Sequence, residues 1–91
     1  MADDVRIELP KGEWIEVAAG PLTDCLVCPM DDCYYLYSAT SPATAYTPAA
    51  DNGHFLPAHY DYNAVPEEAQ SFWVMCPADD SLIWKAEREP A

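Results

Sequence analysis

The stretch 22–38 decides the fold of this chain, and it reads LTDCLVCPMDDCYYLYS. Two runs rich in apolar and aromatic residues, 22–28 and 33–38, flank the sequence Pro-Met-Asp-Asp at 29–32. Aromatic and β-branched side chains favour strands, and an aspartate favours a turn because its side chain bonds the backbone that follows. The stretch therefore predicts two strands joined as a β-hairpin.

The residues before this stretch predict another pair of short strands. Apolar and polar residues alternate over 5–9, which is the pattern of a half-buried strand. A Pro-Lys-Gly turn follows at 10–12. Ile15 and Val17 are then the expected inward residues of a second strand over 13–17, which forms a hairpin or a corner with the first.

The C-terminal part of the chain predicts two more strands, over 70–76 and 81–87. Turn residues separate them at 77–80, so the last strand is expected to pair back as the closing strand. Shorter strands are expected at 44–46 and 54–56. Six to eight short antiparallel strands with frequent turns predict an all-β fold, either a small β-sandwich or a barrel.

The length of the chain predicts one domain. A chain of 91 residues accommodates one small core, and no linker or internal repeat divides it. We expect a single β domain over 1–91, with a Pro/Ala-rich loop region at 39–66 and a short polar tail at 87–91. Within the loop region, 66–69 can form a single helical turn.

The charge of the chain excludes some partners. Sixteen acidic residues against four basic ones give a net charge of −12. Nucleic-acid-coating proteins and proteins that dock on anionic membranes need basic patches, so we expect neither partner. The acidic start lacks the features of a secretory signal, and no apolar run approaches the ~18 residues of a membrane span. We therefore expect cytoplasmic synthesis and reduced thiols.

The four cysteines are the most promising set of metal ligands. Four thiolates can hold a structural zinc ion, and a small domain gains stability from one. In an extended strand, however, Cys25 and Cys28 point to opposite faces. We therefore expect buried, reduced thiols and no cofactor, with zinc as the alternative at Cys25, Cys28, Cys33 and Cys76.

No set of catalytic residues can be assembled from the sequence. His54 and His59 are the only histidines, and with Asp51 and Asp61 they are weak candidates for a metal cluster. The acidic pairs fall at turns, where solvated carboxylates are common. No motif puts a histidine beside a nucleophile, so we expect no enzymatic activity.

Aromatic residues in the loop region predict an interaction surface. Tyrosine and tryptophan anchor many protein interfaces, and loops rich in proline and alanine have little else to bury such rings. The tyrosines of 33–38 are instead expected in the core. The interface residues predicted on this basis are Tyr46, Phe55, Tyr60 and Tyr62.

Several short motifs in order resemble small virion proteins of tailed bacteriophages. They are IELPKGEW at 7–14, GHFLP at 53–57 and two tryptophan-bearing strands near the end of the chain. The resemblance implies a compact β-sandwich on the outer surface of the virion, assembled in the host cytoplasm. It implies a capsid decoration or cement subunit, a symmetric homo-oligomer in contact with the major capsid protein, and no catalytic residues.

Three other functions remain open from the sequence. The first is an accessory protein of the neck, tail or fibre, in contact with neck or tail subunits. The second is a zinc-stapled protein-binding module. The third is an acidic inhibitor that imitates nucleic acid, since a net charge of −12 resembles a row of phosphates.

Overall fold

The computed structural model describes residues 5–21, 24–40 and 54–87, and these residues form an all-β sandwich. The first sheet has the strand order β1-β8-β3-β6, and the second has the order β2-β7-β4-β5. The eight strands are β1 (Val5–Leu9), β2 (Ile15–Ala19), β3 (Cys25–Pro29), β4 (Cys33–Ser38), β5 (His54–Leu56), β6 (Tyr62–Ala64), β7 (Ser71–Met75) and β8 (Ser81–Glu87).

The pairing of the strands gives the topology of a jelly roll. Strand β1 pairs with β8, β2 with β7, β3 with β6 and β4 with β5, and every pair is antiparallel. The chain thus resembles one long hairpin whose successive strand pairs alternate between two sheets. Contacts of β3 with β8 and of β4 with β7 complete the sheets. This arrangement confirms the predicted sandwich and is not a closed barrel.

The predicted hairpin within 22–38 is wrong, although both of its strands exist. Strand β3 belongs to the first sheet and β4 to the second, so the turn between them is a corner from one sheet to the other. The backbone of β3 pairs with β8 up to the turn, where the amide of Met30 donates to the carbonyl of Leu82 at 3.1 Å. Strands β8 and β6 lie on the two sides of β3, so β4 pairs with strands of the second sheet instead.

The connections from β1 to β2 and from β7 to β8 are also corners. The sequence allowed a hairpin or a corner for the first, and the pairing-back predicted for the last strand is wrong because β8 pairs with β1 and β3. Aspartates at the corners after β3 and after β7 accept hydrogen bonds from backbone amides. Asp32 accepts from the amide of Ala58 at 2.9 Å, and Asp80 accepts from the amide of Lys11 at 2.8 Å.

A β-bulge in β2 changes which of its residues face the core. The register shifts between Glu16 and Ala18, so Val17 and Ala18 are both buried, and Ile15 packs partly buried against them. The inward position of Val17 is confirmed. Its carbonyl accepts a hydrogen bond at 2.5 Å from the ammonium of Lys85, which therefore ties β8 to the bulge.

The predicted loop region at 39–66 contains two short strands, β5 and β6. The expected strand over 54–56 is confirmed as β5, while β6 was not predicted and 44–46 lies outside the described residues. The expected helical turn at 66–69 is a tight turn, in which the amide of Gln70 donates to the carbonyl of Glu67 at 3.1 Å.

Gly20 packs directly against this turn. A Cβ atom at this position would lie 2.0 Å from the carbonyl oxygen of Glu67, so only glycine fits.

The core lies between the two sheets, and no polar or charged residue among those that the structure describes is buried in it. Phe72 is its largest fully buried side chain, and the partly buried rings of Tyr35, Tyr37 and Tyr62 pack against it. The other fully buried members come from both sheets and from the corners; they are Leu9, Val17, Ala18, Cys25, Val27, Cys33, Leu56, Ala64, Val74, Cys76 and Ile83.

Candidate interaction surfaces

The edges of the two sheets are poorly suited to the addition of another strand. Two edge strands, β5 and β6, have only three residues each, and the edge strand β2 carries the bulge. The remaining edge strand, β1, carries the exposed ion pair of Arg6 and Glu8. Short, bulged and charged edges hinder edge-to-edge association, so a partner is expected to contact the outward faces of the sheets.

The outward face of the second sheet is aromatic where a polar face is usual. In β4, alternation turns Tyr35 and Tyr37 towards the core and Tyr34 and Leu36 away from it. Trp73 lies opposite Leu36, and Phe55 lies opposite Tyr34. We call these four outward residues, Tyr34, Leu36, Phe55 and Trp73, the Phe55 patch.

The Phe55 patch is most exposed at the edge strand β5 and has a polar border on the side of β7 and β2. Phe55 is 53% exposed and packs edge-on against Tyr34, with ring centroids 5.7 Å apart. At the border, the indole N–H of Trp73 donates to the carbonyl of Ser38 at 3.1 Å. The hydroxyl of Ser71 donates to Glu16 at 2.6 Å. An exposed apolar surface with hydrogen-bonded polar groups beside it is typical of protein interfaces.

The first sheet carries a shallow groove on its outward face. Trp84 lies opposite Cys28, and Ala86 lies opposite Leu26. Trp84 is 40% exposed and Leu26 is 39% exposed. The groove encloses about 180 Å³. We call it the Trp84 groove and define it by the side chains of Leu26, Cys28, Asp61, Trp84 and Ala86.

A carboxylate and a thiol meet within the Trp84 groove. The thiol of Cys28 and the carboxylate of Asp61 both line the groove. Burial and this carboxylate both raise the pKa of Cys28 above its ordinary value of 9.0. The group is therefore a neutral thiol at neutral pH, which is a poor nucleophile and a poor metal ligand.

The other three cysteines are buried at two places, with Cys25 in β3 and Cys33 close to Cys76. Burial, followed by the charge of Glu87, raises the pKa of Cys25 to about 11. Burial, followed by the proximity of Cys76, raises the pKa of Cys33 to about 12. The thiol of Cys76 donates to the carbonyl of Asp32 at 3.5 Å.

The cysteines therefore do not converge on one point. Cys25 and Cys28 face opposite sides of β3, as its extended backbone requires. Within 5–21, 24–40 and 54–87, no group of three or more His, Cys, Asp or Glu side chains is arranged to hold a metal ion.

The four residues predicted as an interface have different surroundings. Phe55 and Tyr60 are exposed, at 53% and 54%, and Tyr46 lies outside the described residues. Tyr62 lies in β6 and is turned inward, although a loop position was expected. Its hydroxyl is 2.8 Å from that of Tyr37, and its ring stacks on Phe72 at 5.7 Å.

The two histidines have separate roles. The ring of His54 stacks on Tyr35 with centroids 5.2 Å apart. The backbone of His59 adopts a φ of 61°, and its amide donates to the carbonyl of Pro29 at 2.7 Å. Of their expected companions, Asp61 lies in the Trp84 groove, and Asp51 lies outside the described residues.

Neither Trp84 nor Leu26 is among the interface residues predicted from the sequence. A usable signal was present in β8, where Leu82, Trp84 and Ala86 form an apolar set on the face opposite Ile83. When a strand at the surface of a sandwich has apolar residues on both faces, its outward face is expected to pack against another surface.

Two further observations concern possible partners and relatives. In the part of the chain that the structure describes, no helix has the length and apolar character needed to cross a bilayer. Comparison of the chain with protein-family models, with curated proteins and with solved structures gives no match.

Proposed function

We propose that this protein is a structural subunit of a tailed-bacteriophage virion that binds the outside of the protein shell as a decoration or cement subunit. The observation that carries the proposal is the pair of exposed apolar surfaces, the Phe55 patch and the Trp84 groove, on a sandwich whose core is already filled. These outward rings add nothing to that core, and their burial against a partner is favourable.

The position of the two surfaces supports a bridging role. The Phe55 patch lies on the second sheet and the Trp84 groove on the first, so they face away from each other. One copy can therefore contact two neighbours at once. A subunit that cements a shell needs this arrangement, because it stabilises the shell by joining adjacent proteins.

The charge of the chain supports assembly on a preformed surface. A net charge of −12 makes free copies repel one another and keeps them soluble. The same charge repels packaged nucleic acid, which favours the outside of a shell. Symmetric contacts between copies would then form only after each copy has bound.

Quantitative mass spectrometry of gradient-purified particles tests the proposal. The particles are taken from the cells that produce the chain. We expect the chain in a fixed ratio to the major shell protein, at a comparable copy number for a decoration subunit. A fixed ratio of only a few copies per particle would indicate a neck, tail or fibre subunit. Its presence in the lysate and absence from the particles would contradict a virion role.

A further inference from the structure

We propose that the Trp84 groove binds an arginine side chain presented by a partner protein. The guanidinium lies against the indole of Trp84 and pairs with the carboxylate of Asp61. The inference rests on the proposed function in that the partner is taken to be a shell protein. It adds the chemistry by which one of the two surfaces recognises that partner.

The composition of the groove suits a side chain with an apolar stem and a charged head. Leu26 and Ala86 supply aliphatic surface, and Trp84 supplies an exposed aromatic ring. Asp61 supplies a carboxylate at the β6 side of the groove, just before that strand begins. Arginine buries its methylene stem along apolar surface, and its planar head stacks on aromatic rings and pairs with carboxylates.

The acidic end of the groove has no cation of its own within the described residues. Asp61 lines the groove beside Cys28 and forms no salt bridge there. Arg6, opposite Trp84 on the next strand, pairs with Glu8 at 3.3 Å.

Lys85, whose residue also borders the groove, directs its ammonium away from the groove. That ammonium donates to the carbonyl of Val17 and pairs with Glu87 at 2.9 Å. An incoming cation therefore finds a carboxylate that no cation among residues 5–21, 24–40 and 54–87 neutralises.

Charge complementarity favours a different protein over a second copy. Every copy carries a net charge of −12, so two copies repel each other at the distances where binding begins. A basic surface is attracted instead. Arginine is preferred over lysine because a flat guanidinium can contact the indole face and the carboxylate together, whereas an ammonium is a strongly hydrated point charge.

The test is a titration of the full ¹⁵N-labelled chain with the peptide acetyl-Gly-Arg-Gly-amide, followed by NMR. The matched control peptide carries citrulline, which has the same shape as arginine and no charge. We expect saturable shifts of the Trp84 indole N–H and of the amides of Cys28 and Asp61, with a Kd on the order of 1 mM. The citrulline peptide should leave these signals unchanged.

Two variants with the same change in charge separate specific binding from general attraction. Asp61→Asn should weaken binding of the arginine peptide about fivefold, as expected for an exposed ion pair of about 1 kcal/mol. Asp79→Asn, at an exposed corner position outside the groove, should leave binding unchanged. Equal weakening by both variants, equal shifts with citrulline, or no shifts at Trp84 would overturn the proposal.

The outcomes also separate this inference from the proposed function. Binding of the peptide by a chain that is absent from purified particles would contradict the virion role and leave the arginine groove standing. A chain that is abundant in particles but fails to bind the peptide would overturn the groove alone.

Discussion

The aromatic side chains of this protein occupy two regions with opposite uses. Between the sheets, Tyr37 and Tyr62 pack on Phe72, which is 0% exposed. On the outward faces, Phe55 and Trp84 are about half exposed and lie outside that core. Residues of the same type therefore stabilise the fold in one region and remain available to a partner in the other. Matched substitutions, one in each region, can test this difference.

The largest difference is expected between the two phenylalanines. Phe72→Ala should lower the free energy of unfolding by about 3–5 kcal/mol, because it removes a fully buried ring and leaves a cavity. Phe55→Ala should lower it by less than about 1 kcal/mol, because the ring is 53% exposed and loses only its edge contact with Tyr34. Urea unfolding measures both values, and equal losses would contradict the comparison.

The buried cysteine Cys33 makes the stability of the fold depend on alkaline pH. An unfolded thiol ionises near its ordinary pKa of 9.0, whereas the folded protein holds the pKa of Cys33 at about 12. The folded state therefore retains this proton while the unfolded state loses it. The resulting stability is fully present below pH 9.0 and is lost as pH rises towards about 12. The loss is about 1.4 kcal/mol per pH unit for each such thiol.

Two alanine variants test the alkaline dependence. Cys33→Ala should flatten the fall in the free energy of unfolding above pH 9.0, whatever its effect at neutral pH. Cys28→Ala, on the outward face, should change the slope less, because Cys28 is only half-buried. Urea unfolding at a series of pH values measures the slope. An unchanged slope in Cys33→Ala would show that this thiol is not held protonated by the fold.

The tyrosines offer a smaller test. Tyr62→Phe removes the hydroxyl that lies 2.8 Å from that of Tyr37 and joins the two sheets, at an expected cost of about 1 kcal/mol. Tyr60→Phe removes an exposed hydroxyl and should cost nothing measurable. Thermal or urea unfolding compares the two variants. A larger loss of stability in Tyr60→Phe than in Tyr62→Phe would contradict the inward position of Tyr62 and the exposed position of Tyr60.

The smallest expected effect is a change in the rate at which Cys28 is alkylated. Burial raises the pKa of Cys28, and the carboxylate of Asp61 raises it further. Asp61→Asn removes the second effect, so more thiolate is present at a given pH. Alkylation of Cys28 by iodoacetamide should become faster by a small factor, with the fully buried Cys25 as the slow internal reference. Mass spectrometry of peptides measures both rates. A slower reaction in the variant would contradict the effect of Asp61 on the pKa of Cys28.

Local sequence patterns located the strands well but not their partners. The bounds of β1, β4, β5 and β8 agree with the predictions, because alternation and aromatic density depend only on neighbouring residues. The turn at 29–32 reverses the chain, and its composition does not distinguish a hairpin from a corner. That choice depends on β8, which comes about fifty residues later and pairs with β3.

The candidate surfaces were predictable only in part. Phe55 and Tyr60 could be recognised because an aromatic residue in a polar, proline-rich context has few neighbours to bury it. Tyr62 has the same local context, but the pairing of β6 with β3 turns it inward. The Trp84 groove was not predicted. The apolar alternation in β8 was a signal for Trp84 and Ala86, but the register of β8 and β3 and the residue that precedes β6 supply the other members.

The most direct test of the central claim is the occupancy of purified particles by the double variant Phe55→Ala/Trp84→Ala, made in place of the natural chain. We expect a folded variant, with a free energy of unfolding lowered by no more than about 2 kcal/mol. We also expect the variant to be depleted from particles by at least about tenfold, because two exposed anchors are lost. Undiminished occupancy by the folded variant, measured by quantitative mass spectrometry, would contradict the claim that these outward aromatic residues bind the shell.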